Sequence, residues 1–109
     1  MKPKPYELKE RDVLKAILAY LKVHRVFHWR SSTGMLTKPY KGKMHYVRFG
    51  SLGSPDIIAI HNGICYGIEV KGPEGVQSQH QFEFEREFTK AGGKYVLARS
   101  IEQVHEALL

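Results

Sequence analysis

Three side chains in the second half of the chain have the types and spacing to do chemistry together. Asp56 stands just before the apolar run Ile57-Ile58-Ala59-Ile60, and Glu69 and Lys71 flank Val70 at the end of a second run that begins at Ile64. Two carboxylates and an ammonium in segments that otherwise read as buried strands are costly unless something neutralises them. Between the runs lies Asn62-Gly63, among the strongest two-residue hairpin signals because a type I′ turn needs positive φ at both positions. With these as the loop residues, His61 faces Ile64, Ile60 faces Cys65, Ile58 faces Gly67 and, further out, Asp56 faces Glu69. Opposed residues share a side of the sheet, their Cβ atoms roughly 4.5–5.5 Å apart. Lys71, two positions beyond Glu69, returns to that side. An unbulged register therefore gathers Asp56, Glu69 and Lys71 on one face. Ile57, Ala59, Tyr66, Ile68 and Val70 make the other face apolar. Ile58, Ile60 and Cys65 make much of the near face apolar too, so the hairpin is expected to be covered on both sides.

Three arrangements would relieve the opposed carboxylates. One of them could be protonated, Lys71 could pair with both, or a divalent cation could bind between them. Oxygen ligands of this kind suit Mg²⁺ or Mn²⁺, which take one or two carboxylates, water and substrate phosphate. The charge distribution adds weight to the third. Residues 1–50 carry 12 Lys and Arg against 3 acids, whereas residues 51–109 carry 5 against 8. A basic half points to a polyanionic partner, nucleic acid first, and its phosphate would complete the shell of a cation.

The elements that must position these residues can be read from periodicity. Residues 7–23 form a helix with Leu14, Ile17, Leu18 and Leu21 as its inward stripe and Asp12, Lys15, Ala19 and Lys22 opposite. Residues 26–30 form a short strand. Residues 31–54, rich in Gly, Ser and Lys and interleaved with Tyr40, Tyr46 and Phe49, read as a long basic substrate loop holding a weak hairpin around 44–49. Long loops in compact domains are commonly functional, and basic residues with aromatics between them can hold phosphates and stack on bases. After the central hairpin, Gly72-Pro73-Glu74-Gly75 makes a stop. A helix follows over 79–91, opened by the capping-box pattern Ser78-x-x-Gln81 and closed by Gly92-Gly93. Residues 95–98 read as a further strand, and Ser100-x-x-Gln103 opens a last helix.

The whole describes one α/β domain over 1–109, a small mixed β-sheet flanked by helices, with residues 1–5 as a flexible basic tail. The single cysteine, Cys65, excludes an internal disulfide and fits a reducing cytosol. No apolar run approaches the ~20 residues that span a bilayer and no signal-peptide pattern opens the chain, so no membrane partner is expected.

Gly53-x-Pro55-Asp56, a gap of twelve residues, then Glu69-Val70-Lys71 resembles the signature of the PD-(D/E)xK nucleases. The adjoining Gly72, the downstream Ser78-x-x-Gln81, the Gly-rich helix end, the N-terminal helix and the Trp29-Arg30 strand resemble its VRR-NUC branch, so the likeness covers nearly the whole chain. Compact stand-alone members of that branch are similar to virus-encoded nucleases. The resemblance implies a restriction-endonuclease-like core in the order α-β-β-β-α-β-α, a homodimer in the cytoplasm (of the host, if the chain is viral), and no small-molecule cofactor. It also implies a metal-dependent, structure-selective DNA endonuclease, with branched DNA such as Holliday junctions as a candidate substrate.

Carried over residue by residue, the resemblance makes Asp56, Glu69 and the backbone carbonyl of Val70 ligands of Mg²⁺ or Mn²⁺. Lys71 would orient or help deprotonate the attacking water. The branch also places an acid of the first helix near the metal. Glu10 is the first choice and Glu7 the second, because both extend the inward stripe whereas Asp12 lies outward. Gln81 corresponds to the active-site glutamine of the branch, although it reads independently as a helix cap, and the two roles compete. Arg30, Lys38, Lys41, Lys43 and Arg48 are candidates for gripping the DNA backbone, adding salt dependence without sequence specificity. Readings from other classes are a non-catalytic nucleic-acid-binding scaffold with a nuclease fold, and an interaction protein whose basic half docks on an acidic partner.

Overall fold

A computed structural model describes residues 9–31, 34–49 and 52–109, and for 34–40 and 44–49 the backbone alone. The described elements run α1 (Glu10–Val23), β1 (Phe27–Arg30), β2 (Gly34–Tyr40), β3 (Lys43–Phe49), β4 (Ile57–His61), β5 (Ile64–Val70), α2 (Gln79–Lys90), β6 (Lys94–Ala98) and α3 (Ile101–Leu108). The central hairpin forms as its turn dictates. Asn62 and Gly63 take φ of 51° and 79°, and the register pairs His61 with Ile64, Ile60 with Cys65 and Ile58 with Gly67. β1 adds to β4 antiparallel and β6 adds to β5 parallel, giving a four-stranded mixed sheet in the order β1-β4-β5-β6.

One face of this sheet makes the core. Ile57, Ala59, Tyr66, Ile68, Val70 and Ala98 bury against Val13, Ile17 and Leu21 of α1 and Val104 and Leu108 of α3. Leu14 and Leu18 pack at the margin of that line, so the inward stripe of α1 is centred on Val13, Ile17 and Leu21. The helix starts at Glu10 instead of residue 7. Lys9 is extended, at φ −75° and ψ 158°, and its N–H donates to the Asp12 carboxylate at 3.3 Å. The outward-facing acid of the first turn is thus a cap. Glu7 and the tail 1–5 lie outside the described residues.

α2 lies on the opposite face, where Gly67 leaves room for it. A Cβ on Gly67 would come within 3.1 Å of Pro55 and 3.3 Å of the Phe88 ring. Ser78 and Gln81 close the capping box that the sequence announces, the Ser78 hydroxyl accepting the Gln81 N–H at 3.2 Å and Gln81 Oε1 accepting the Ser78 N–H at 2.9 Å. The second box is drawn differently. Ser100 accepts the Gln103 N–H at 3.3 Å, but Gln103 Oε1 accepts from Arg99 N–H instead of Ser100.

Two expectations are corrected. Residues 34–49 are a two-stranded antiparallel hairpin rather than a loop with a weak hairpin at 44–49, paired from Gly34–Phe49 to Tyr40–Lys43. Its turn residues Lys41 and Gly42 have φ of 50° and 75°, the same double positive φ as Asn62-Gly63. At its base the Ser31 and Ser54 hydroxyls meet at 2.9 Å and Ser31 N–H donates to the Asp56 carbonyl at 2.8 Å. Nor is the central hairpin covered on both sides. On the near face Ile60 is 42% exposed, and its β1 neighbours Phe27 and Trp29 are 68% and 46% exposed, because α2 packs toward β6. Among the described residues no helix is long and apolar enough to cross a membrane.

Candidate active site

The site begins where the β4–β5 ladder ends. Backbone pairing stops at Ile57–Ile68, and one position further the Asp56 side chain takes over, Oδ2 accepting the Val70 N–H at 2.8 Å. This pins Asp56 beside Glu69, its expected opposite. Glu69 is 3% exposed, and its Oε2 is buried without a hydrogen-bond partner. Burial, followed by the hydrogen bond and charge of Asp56, pushes the Glu69 carboxyl up to about 9; Lys71 pulls it down and Glu10 adds a last upward push. Two carboxyls can share a hydrogen bond only if one carries a proton. The upward shift favours a protonated Glu69 beside Asp56. Among the described residues no ion pair joins Lys71 to either carboxyl, so the lysine-glue arrangement is not adopted.

An orphaned buried carboxylate oxygen beside a second carboxylate is a feature that a bound cation would satisfy, so Asp56 and Glu69 fit Mg²⁺ or Mn²⁺. Among the described residues no group of three or more His, Cys, Asp or Glu converges on one point. The protein would thus supply two carboxylates and leave the rest of the shell to a carbonyl, water and phosphate, the usual manner of Mg²⁺.

Both carboxylates open onto a cavity of about 300 Å³, lined also by Leu52, Gly53, Ser54, Ser78, His80 and Gln81. The N-terminus of α2 forms one wall, and Gly53 seats it. Gly53 has φ +77°, and a Cβ there would sit 2.1 Å from the His80 carbonyl oxygen. Gly53→Ala is expected to cost about 1–2 kcal/mol from backbone conformation alone and to displace α2 from Asp56 as well. Thermal denaturation reads the first effect and loss of divalent-ion binding the second; a variant indistinguishable from wild type would contradict this seating.

Gln81 caps α2 and also lines the cavity. Its Oε1 is committed to the Ser78 N–H, so what the side chain offers the cavity is the Nε2 amide. Lys71 and Glu10 are not among the lining residues. The Lys71 stem runs along the turn after β5, since a Cβ on Gly75 would come within 3.2 Å of its Cδ. Glu10 is exposed and its backbone lies against Gly72, where a Cβ would come within 3.3 Å of its N. The Gly72 carbonyl is tied to the Arg99 guanidinium.

Arg30 is exposed at the end of β1, Lys41 at the turn of the β2–β3 hairpin and Lys43 at the start of β3. The side chains of Lys38 and Arg48 lie outside the described residues, although their backbones pair with His45 and Met35. Reading the sequence overlooked Ser54, Leu52 and His80 as lining groups. It also overlooked Tyr95 beside Gly67, whose phenol burial pushes up to about 12. Gly53-x-Pro55-Asp56 and Ser78-x-x-Gln81 carried local signals for this wall, but the contact of Gly53 with His80 spans the whole hairpin. No protein-family model matches the chain, and no curated protein matches it.

Proposed function

We propose that the chain is a metal-dependent phosphodiesterase that hydrolyses DNA, a compact nuclease resembling the VRR-NUC branch of the PD-(D/E)xK nucleases. The observation that carries this reading is the Asp56–Glu69 pair, in which a buried Glu69 carboxyl with one unpartnered oxygen stands beside the half-buried Asp56. Asp56 and Glu69, with the Val70 carbonyl as a further donor, would hold Mg²⁺ or Mn²⁺, which when bound lowers the pKa of a water and offsets charge on the phosphate. Lys71 orients that water and balances the charge gathering on the phosphate oxygens. The Gln81 Nε2 amide donates a hydrogen bond to a phosphate oxygen or to the water. The water loses a proton as its oxygen bonds to phosphorus, the P–O bond to the leaving strand breaks, and the leaving oxygen takes up a proton. Arg30, Lys38, Lys41, Lys43 and Arg48 supply a basic approach that draws the DNA backbone in and weakens with salt. A homodimer would bring two such sites to a branched substrate, as symmetric cleavage of a four-way junction requires.

The test is cleavage of supercoiled plasmid, four-way junction, flap and single-stranded substrates with Mg²⁺, Mn²⁺ or EDTA. Wild type is expected to cut only with metal. Lys71→Ala and Asp56→Asn are expected to reduce the rate by at least about 10²-fold, the scale on which removing one electrostatic stabiliser acts. Cleavage in EDTA, or full activity in either variant, would sink the mechanism. Tight DNA binding with no cleavage under any metal would leave the scaffold reading in its place.

A further inference from the structure

Phe27 and Trp29 have no place in the chemistry described so far, and neither is buried. Cα registration puts Phe27 opposite Ile60 and Trp29 opposite Ile58. Both aromatics therefore stand on the near face, which also carries Glu69, two positions along β5 from Gly67. The rings meet edge to face, centroids 5.9 Å apart and planes at 72°. Two residues after Trp29, Ser31 N–H bonds the Asp56 carbonyl. Strand geometry thus sets Trp29 about 7 Å along β1 from the Asp56 end of the site.

We infer that Phe27 and Trp29 form a stacking platform for an unpaired nucleobase next to the phosphate under attack. The inference rests on the nucleic-acid part of the proposed function and narrows its substrate class to DNA with unpaired bases within about one nucleotide of the cut. An aromatic side chain carries about 150–250 Å² of surface, so the open parts of these two rings amount to roughly 250 Å². A stable dimer needs about 800 Å² per partner, whereas a single base is covered by a patch of this size. Charge complementarity points the same way, since Arg30 is exposed at the end of β1, one residue after Trp29. A ligand that is flat and apolar on one side and anionic along its backbone matches both features. A base inside a duplex has its faces already stacked and cannot use them.

Trp29 is the only tryptophan in the chain, so its emission reports the platform directly. Wild-type protein in EDTA is titrated with a single-stranded oligonucleotide and with the matched duplex, following tryptophan emission and, separately, the anisotropy of labelled DNA. The single strand is expected to quench Trp29 saturably and the duplex to leave it nearly unchanged. By anisotropy, Trp29→Ala should bind the single strand about 5- to 150-fold more weakly, Trp29→Phe within about threefold of wild type, and duplex affinity should move less than about twofold in both. Circular dichroism checks that the variants fold. Single-strand binding without quenching, or with equal affinity in Trp29→Ala, overturns the platform. So does a doubling of mass on light scattering that Trp29→Ala abolishes, which would assign the face to a second copy of the chain. Because EDTA removes the chemistry, quenching without cleavage in the metal assay overturns the nuclease reading alone, and cleavage without quenching overturns the platform alone.

Discussion

Glu69→Gln is expected to make the metal-free protein more heat-stable at pH 8 while abolishing cleavage. In the folded chain the Glu69 carboxyl stays protonated up to about 9, whereas in the unfolded chain it ionises near its ordinary value of 4.5. Folding at pH 8 therefore requires a proton to be taken up, and glutamine, neutral and of the same shape, removes that requirement. A domain of this size shifts its melting temperature by about 4–8 °C per kcal/mol, so a gain of at least about 5 °C is expected at pH 8. At pH 5, where the unfolded side chain is itself largely protonated, the two proteins should melt closer together. Glutamine gives up one carboxylate ligand, so the variant should also lose the stabilisation that Mn²⁺ gives wild type. A variant less stable than wild type at pH 8 would mean that the Glu69 charge is satisfied in the folded protein, against the geometry of its orphaned oxygen.

The second large effect is the pH profile of wild type with and without metal. Between about 4.5 and 9 the folded state holds more protons at Glu69 than the unfolded state does. Stability must then fall as pH rises through that window and level off above it. Divalent ions are expected to reverse this trend, since binding at the proposed site would displace the Glu69 proton and grow stronger with pH. At a concentration 100-fold above the dissociation constant the gain is about 2.7 kcal/mol. Melting curves from pH 5 to 9 in EDTA, Mg²⁺ and Mn²⁺ should diverge as pH rises. Parallel curves, with metal making no difference at pH 8, would count against Asp56 and Glu69 as a cation site.

Much of this was legible because the signals were local. Asn62-Gly63 fixes the hairpin register by its φ requirement alone, and that register brings Asp56 and Glu69 together without any knowledge of the fold. Ser78-x-x-Gln81 likewise marks the start of α2 within four residues. The β2–β3 hairpin was legible only as a weak hairpin around 44–49, since Pro39 and Lys38 interrupt the strand pattern and Lys41-Gly42 is a weaker turn signal than Asn-Gly. Pro39, opposite Met44, is tolerated because both strands of a two-stranded ribbon are edge strands. The centring of α1 on Val13 depends on where α3 packs, and the open near face depends on α2 leaning toward β6. Those are tertiary facts that no local pattern encodes. Gly53 is intermediate, because its motif was visible but its need to be glycine arises from His80, 27 positions away.

The closure at the root of the hairpin has a consequence for how such a chain can diversify. Ser31 and Ser54 hold the ends of the excursion together, and β1 and β4 are already neighbours in the sheet without it. The excursion is therefore a cassette, free to lengthen, shorten or be exchanged while the strands that carry Asp56 and Glu69 keep their register. Substrate preference can drift in such a protein faster than its chemistry. The same junction is where an engineer would splice in a foreign hairpin.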